Sequence, residues 1–175
     1  MIELCYDVKR YRQKILELAR NGDSIIELGC HVGNTTREIL DNFTDSKIIA
    51  LDNSPEASER MGEIACENLV FINADVRLHE TLLEVYRKMQ KCDILAIDLG
   101  GGYHPDTVFK VFYIYSSTFK PKHTIIRNRG LLEFFNSSHA SDEPFKSDEG
   151  YLESYHDAGI PPQIKEFNLW TPSLK

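Results

Sequence analysis

The chain has 175 residues, 42% of them hydrophobic, and carries 20 Lys and Arg against 27 Asp and Glu, a formal net charge of -7. That length suits one domain with one core, and that charge argues against a broad phosphate-binding surface without excluding a local basic patch. No apolar run approaches the roughly 20 residues that span a bilayer, and MIELCYDVKRYRQ has charges where a signal peptide would be apolar, so a soluble cytoplasmic protein is the simplest reading.

From Tyr6 to Arg20, Val8, Tyr11, Ile15, Leu18 and Ala19 recur at helical spacing, and Asn21-Gly22-Asp23 stops that helix. Ser24–Leu28 is a short, nearly all-apolar run, as expected of a buried parallel strand. A helix follows over Thr35–Phe43, then a strand over Lys47–Leu51 ending at Asp52. Pro55 opens a helix through about Cys66. Leu69–Ile72 is a strand ending near Asp75, and Leu78–Met89 is a helix. The strand Asp93–Ile97 ends at Asp98, the aromatic-rich helix Pro105–Phe119 follows, and His123–Arg127 is a further strand. Asn136–Gly150 is polar and acidic like a surface loop, and Gln163–Trp170, after Pro161-Pro162, alternates like a late edge strand.

This alternation predicts an α/β fold with a doubly wound, mostly parallel sheet in three layers, α/β/α. One domain is expected: an N-terminal helix in 1–20, a ligand-binding core in 21–135 and an irregular C-terminal part in 136–175 with the late strand. Cys5, Cys30, Cys66 and Cys92 form neither a CxxC pair nor a zinc spacing and read as reduced thiols.

Ligands of such sheets lie beyond the carboxyl ends of the strands. There the chain reads IIELGCHVGNTT, Ile25 to Thr36. Gly29 and Gly33 permit a tight turn and close approach of a ligand to the main chain. A P-loop would need Lys before the final Ser or Thr, and the dinucleotide fingerprint needs GxGxxG; neither fits. The spacing is Glu27-x-Gly29-x-x-x-Gly33-x-Thr35.

This pattern resembles motif I of the class I S-adenosylmethionine-dependent methyltransferases, and looks most like the catechol and caffeoyl-CoA O-methyltransferase branch. His31 stands where many relatives have a third glycine. The resemblance covers about residues 20 to 130 and implies a Rossmann-like methyltransferase core with S-adenosyl-L-methionine as cofactor. It implies that Asp52 grips the ribose hydroxyls, a task for which a carboxylate's two acceptor oxygens suit it. It places Asp75 by the adenine amino group and Glu27 toward the methionine ammonium, directly or through water. Gly29, Cys30, His31, Gly33, Asn34 and Thr35 form the loop, with Asn53, Val76 and Asp98 as further cofactor contacts. The stretch CDILAIDLGG is similar to the family's motif IV and ends its strand at Asp98.

Asp98 could bind the methionine ammonium, orient the acceptor or act as base. His104 is the best general-base candidate by intrinsic pKa, and Tyr103 beside it is a candidate acceptor contact. The catechol-type branch holds a divalent metal between the motif IV acid and an Asp-Asn pair after the fifth strand. Here that place reads Arg127-Asn128-Arg129, with a cation where a second acid should be, so no metal is expected. An Asn/Asp-Pro-Pro-Tyr/Phe motif does not follow the fourth strand, which speaks against methylation of adenine in DNA or of glutamine.

Lys120, Lys122, His123, Arg127 and Arg129 form a basic cluster in an acidic chain, and Arg127 and Arg129 at the rim could bind an anion on the acceptor. Phe109, Phe112, Tyr113, Tyr115 and Phe119 read as a helix stripe packed on the sheet. A methyltransferase acting on a small-molecule or protein acceptor is the expectation. An RNA methyltransferase is the alternative that the basic cluster supports. A non-catalytic S-adenosylmethionine or nucleotide-binding module is the third reading, its lid or acceptor pocket completed by a second subunit such as another copy of the chain. No membrane partner is expected.

Overall fold

The computed structural model describes residues 1–64, 66–142 and 146–152. Along these residues strands alternate with helices: β1 (Ile2–Cys5), α1 (Val8–Leu18), β2 (Ser24–Leu28), α2 (Asn34–Asn42), β3 (Lys47–Asp52), α3 (Pro55–Met61), β4 (Leu69–Asn73), α4 (His79–Lys88), β5 (Ile94–Ile97), α5 (Pro105–Phe119), β6 (His123–Arg127) and α6 (Arg129–Ser137). The strands form one sheet in the order β1-β6-β5-β2-β3-β4, and every pairing is parallel. The expected doubly wound α/β arrangement is therefore present.

Side-chain alternation in the strands divides the core between the two faces. Leu28, Leu51, Leu95 and Ile97 pack with Leu82 and Val85 of α4 and with Val111, Phe112, Tyr115 and Phe119 of α5. Ile25, Ile48, Ala50 and Ile94 pack on the other face with Tyr11 and Ile15 of α1, Ile39 of α2 and Met61 of α3. Each large apolar side chain fully buried in these layers is worth about 1.5–3 kcal/mol. The aromatic stripe divides by exposure: Phe112, Tyr115 and Phe119 are buried, while Phe109 is 47% exposed.

Two elements were not anticipated from the sequence. The stretch read as N-terminal helix is preceded by β1, a four-residue edge strand paired to β6, and α1 begins only at Val8, where the Asp7 carboxylate accepts from Lys9 N and Arg10 N at 2.8 and 3.0 Å. That strand carries Tyr6, Val8 and Arg12 to the carboxyl end of the sheet. The second is α6, capped by Asn128, which takes the first residues of the stretch read as a surface loop. The helix expected through Cys66 ends at Met61 and continues as a 3-10 turn over Gly62–Ile64. Gln163–Trp170 lies outside the described residues. Among the described residues no helix is long and apolar enough to cross a membrane.

Candidate active site

The sheet order reverses beside β2, which pairs with β3 on one side and β5 on the other. At such a switch point the connections diverge to opposite faces and leave a crevice beyond the strand ends. Gly29 lies at its floor. Its amide donates to Leu51 O at 2.8 Å, and Asp98 N donates to Leu28 O at 2.9 Å, so the three strand ends are tied together. Gly29 has φ +88, and a side chain there would overlap the Asp98 carbonyl oxygen. Glycine is required twice over, by conformation and by space.

Two cavities open from this point and share Gly29, Asp52 and Gly100. The first, of about 260 Å³, is also lined by Leu51, Asn53, Ala74, Asp75, Val76, Arg77, Leu99, His104, Thr107 and Val108. The second, of about 350 Å³, is lined by Val8, Arg12, Cys30, His31, Val32, Asn34, Thr35, Asp98, Gly101 and Arg127. The structure thus brings together most of the residues expected to contact a cofactor.

Asp52 sits where the cavities meet. Its Oδ2 accepts from His31 N at 2.9 Å and its Oδ1 from Ser54 N at 2.8 Å. These amides fix the carboxylate and leave each oxygen capacity for one more donor. His31 is held at φ +47, a left-handed conformation uncommon outside glycine. The bond to Asp52 holds the histidine backbone there.

Asp75 lines the first cavity, but Arg77 engages it. Arg77 Nε lies 2.9 and 3.1 Å from the two carboxylate oxygens, and Nη2 lies 2.6 Å from Oδ2. These bonds hold the Asp75 carboxyl below the usual carboxylate range. His104, at φ +57, belongs to this cavity and not to the one that contains Asp98.

Glu27 is 1% exposed and lines neither cavity. It points from β2 to α2, where Thr36 Oγ1 donates to its Oε2 at 2.6 Å. Burial raises its carboxyl to about 7, against the pull of the Thr36 hydrogen bond. Gly33, at φ +76, caps α2 without a side-chain bond, so the open amides of the first turn leave a partial positive charge beside Asn34 and Thr35. Cys30 is buried, and its thiol is raised well above the usual thiol range by that burial, which leaves it a protonated lining group.

At the far end of the second cavity Arg127 Nη1 donates to both Asp98 oxygens, at 3.1 and 2.9 Å, and Arg127 Nε donates to Tyr6 O at 2.9 Å. Burial pushes the Asp98 carboxyl above the usual carboxylate range, opposed by Arg127. Arg129 and Tyr103 line neither cavity. They form a rim with Tyr6: the Arg129 guanidinium carbon lies 5.7 Å from the Tyr6 ring centre, and the Tyr6 and Tyr103 hydroxyls are 3.5 Å apart. Asn128, fully buried, donates to Tyr103 O at 2.8 Å and caps α6 by accepting from Leu131 N at 2.9 Å.

The basic cluster read from the sequence does not hold together in space. Lys122 pairs with Asp93 at 2.8 Å and His123 lies 3.4 Å from the N-terminal amine, both at the start of β6, whereas Arg127 ends that strand. Among the described residues no group of three or more His, Cys, Asp or Glu could hold a metal ion. Sequence reasoning missed Tyr6, Arg12, Thr36, Arg77 and Asn128. Only Asn128 carried a signal, as an Asn just before a new apolar run.

No family model matches the sequence. Comparison with curated proteins gives no match either. Solved structures do match in fold. An rRNA methylase from Streptococcus thermophilus aligns over 74% of this chain and 78% of its own, with a TM-score of 0.51 and 14% identity. Fibrillarin from Aeropyrum pernix, solved with natively bound S-adenosyl-L-methionine, aligns over 63% of this chain and 48% of its own at a TM-score of 0.48 and 20% identity. Coclaurine N-methyltransferase, solved with N-methylheliamine and SAH, aligns over 53% of this chain and 27% of its own, at a TM-score of 0.43 and 21% identity. The matched part is thus about half of the fibrillarin chain and about a quarter of the coclaurine enzyme. At these identities the likeness is one of fold.

Proposed function

We propose that this chain is an S-adenosyl-L-methionine-dependent methyltransferase acting on a small-molecule or protein acceptor. The observation that carries the reading is Asp52. Two backbone amides fix its carboxylate at the junction of two cavities, beside a glycine that admits no side chain. That geometry suits a ribose diol, with the adenine toward Asp75, Val76 and His104 and the amino-acid end toward Asn34, Thr35 and Asp98. Asn53, Gly29, Cys30 and His31 complete the wall. Glu27 acts one step removed, by holding Thr36 and so the first turn of α2.

When bound, the cofactor supplies an electrophilic methyl on a sulfonium. The protein's part is to place a nucleophile in line with it, and positioning is the larger share of such catalysis. Asp98 is the residue we assign to the reacting end, where it orients the ammonium or the acceptor. His104 lies toward the adenosine end, which favours Asp98 over His104 as the catalytic group. Tyr103, Arg127 and Arg129 are assigned to the acceptor side. The loop spacing supports kinship with the catechol-type branch. The Arg127 guanidinium already on Asp98 supports a metal-independent reaction, since it supplies the cation at that carboxylate.

An RNA acceptor is the second reading, favoured by the exposed rim of Arg129 and aromatic rings; the division of the basic cluster between the two ends of β6 speaks against it. The four free cysteines support a reducing cytoplasmic setting. The test is transfer of a labelled methyl group from S-adenosylmethionine into separated small-molecule, protein and RNA fractions. Label in the first two supports the reading and label in RNA selects the second. Label in none points to a binding module that a partner, such as a second copy, completes.

A further inference from the structure

A third cavity, of about 850 Å³, lies between β1, α5 and α6 and shares no lining residue with the two cavities of the site. Its walls are apolar: Ile2 and Leu4 of β1, Phe109 of α5, and Leu131, Phe134 and Phe135 of α6. Phe134 is 73% exposed and Phe135 69%, and α6 buries none of its residues. A folded domain seldom leaves so much contiguous apolar surface open, and such a patch marks a docking surface. The groove also runs along the sheet's edge. Among the described residues β1 pairs with β6 alone, so its other edge presents main-chain groups that can accept a further strand.

The chain itself leads into this groove. Gly150 N donates to Pro121 O at 3.0 Å, and Gly150 O accepts from the Thr124 hydroxyl. A side chain at Gly150 would overlap Pro121 O and the His123 main chain, so this segment lies flush against the start of β6. Two residues on, Leu152 packs on the core and lines the groove. Residues 153–175 follow and lie outside the described residues. They contain the run QIKEFNLW, Gln163 to Trp170. In extended form Lys165, Phe167 and Leu169 share one face. Residues 153–162 separate the run from Leu152 and reach up to about 33–36 Å. The four-residue β1 is only about 13 Å long, so the run can lie anywhere along it.

Charge agrees with this occupant. Glu3 is the one charged residue among the described lining residues, and Lys165 is the one charge on the face that carries Phe167 and Leu169. Glu3 Oε1 lies 3.6 Å from Lys14 Nζ, and a carboxylate retains acceptor capacity for a second donor. A segment tethered at the groove meets it at an effective concentration on the order of millimolar, which a free partner or a second copy does not match.

We infer that Gln163–Trp170 seats in this groove along the free edge of β1, with Phe167 and Leu169 against Phe134 and Phe135 and with Lys165 toward Glu3. The occupant is the chain's own segment beyond Leu152. This docking stands whether or not the chain binds an adenosyl cofactor.

The test is hydrogen–deuterium exchange of the full chain, read by mass spectrometry, with the oligomeric state read by sedimentation velocity. In a monomer, the amides of residues 164–170 should exchange about tenfold or more slowly than in a free peptide of the same sequence. Phe134→Ser combined with Phe135→Ser should remove that protection while the amides of β2 and β5 keep theirs. Phe167→Ser combined with Leu169→Ser leaves the groove itself intact, and should remove the protection of residues 164–170 and speed exchange in residues 2–5. Absence of protection in the wild type would overturn the docking, and so would protection that survives the substitutions in α6 or in the run. Protection found only in a dimer would give the groove to a second copy and overturn it as well.

Discussion

Arg127 and Asp98 meet across the ends of neighbouring parallel strands, with the arginine Nη1 at 2.9 and 3.1 Å from the two carboxylate oxygens. Both side chains are mostly buried, at 21% and 16% exposure. Removing one member of such a pair leaves the other desolvated and unmatched, whereas removing both does not. Arg127→Met is expected to destabilise the protein by about 1–3 kcal/mol, and Asp98→Asn combined with it should recover at least half of that. Urea midpoints of the two variants and the wild type check this.

Glu27 predicts a pH dependence. Its folded carboxyl is raised from 4.5 to about 7 by burial. The native state therefore keeps a proton that the unfolded chain has already released. Stability from this group is complete below about pH 4.5 and falls as pH rises toward 7. Glu27→Gln keeps a partner for Thr36 and carries no charge. It should leave stability unchanged near pH 4 and raise it by roughly 2–3 kcal/mol at pH 8. Equal midpoints for variant and wild type at pH 8 would show that the carboxyl is not raised.

Gly29→Ala should be severe although it adds one methyl group. That methyl would overlap the Asp98 carbonyl at a backbone φ of +88, and neither backbone can move without separating β2 from β5. A loss of more than about 3 kcal/mol is expected from overpacking plus strain. Gly22→Ala, at a similar φ of +91 with nothing near its added methyl, serves as the control and should cost about 1 kcal/mol. Thermal denaturation of the pair separates the contribution of space from that of conformation.

The core was legible in the sequence because buried parallel strands are continuous apolar runs, and β2, β3, β5 and β6 stand out as such. The ends of those strands were legible because an acid, Asp52, closes one apolar run and a glycine, Gly29, closes another. What was hidden has a common cause. β1 is a half-buried edge strand of four residues, too short to show a period, and its pairing with β6 is a contact across more than a hundred residues of chain. Arg12 and Tyr6 reach the site only through that pairing, so no local pattern could announce them. The engagement of Asp75 by Arg77 and of Glu27 by Thr36 are likewise side-chain choices that spacing does not reveal. The basic cluster was misread because adjacency in sequence along a strand is not adjacency at one end of it.

Asp52→Ala removes the two carboxylate oxygens that the proposed function gives to a ribose, and frees His31 N and Ser54 N. Cofactor affinity should fall by about 1.5–3 kcal/mol, the scale for hydrogen bonds to a charged group, with the far-ultraviolet circular dichroism unchanged. An affinity equal to that of the wild type would remove Asp52 from the ribose site.

The measurement that bears most directly on the account is calorimetric binding of S-adenosylmethionine and S-adenosylhomocysteine to the wild-type chain, with NAD and ATP as controls. Micromolar binding of the first two and none of the controls is expected. Binding of NAD or ATP instead, or of nothing, would contradict it and remove the cofactor role from Gly29, Asp52 and Asp98 together.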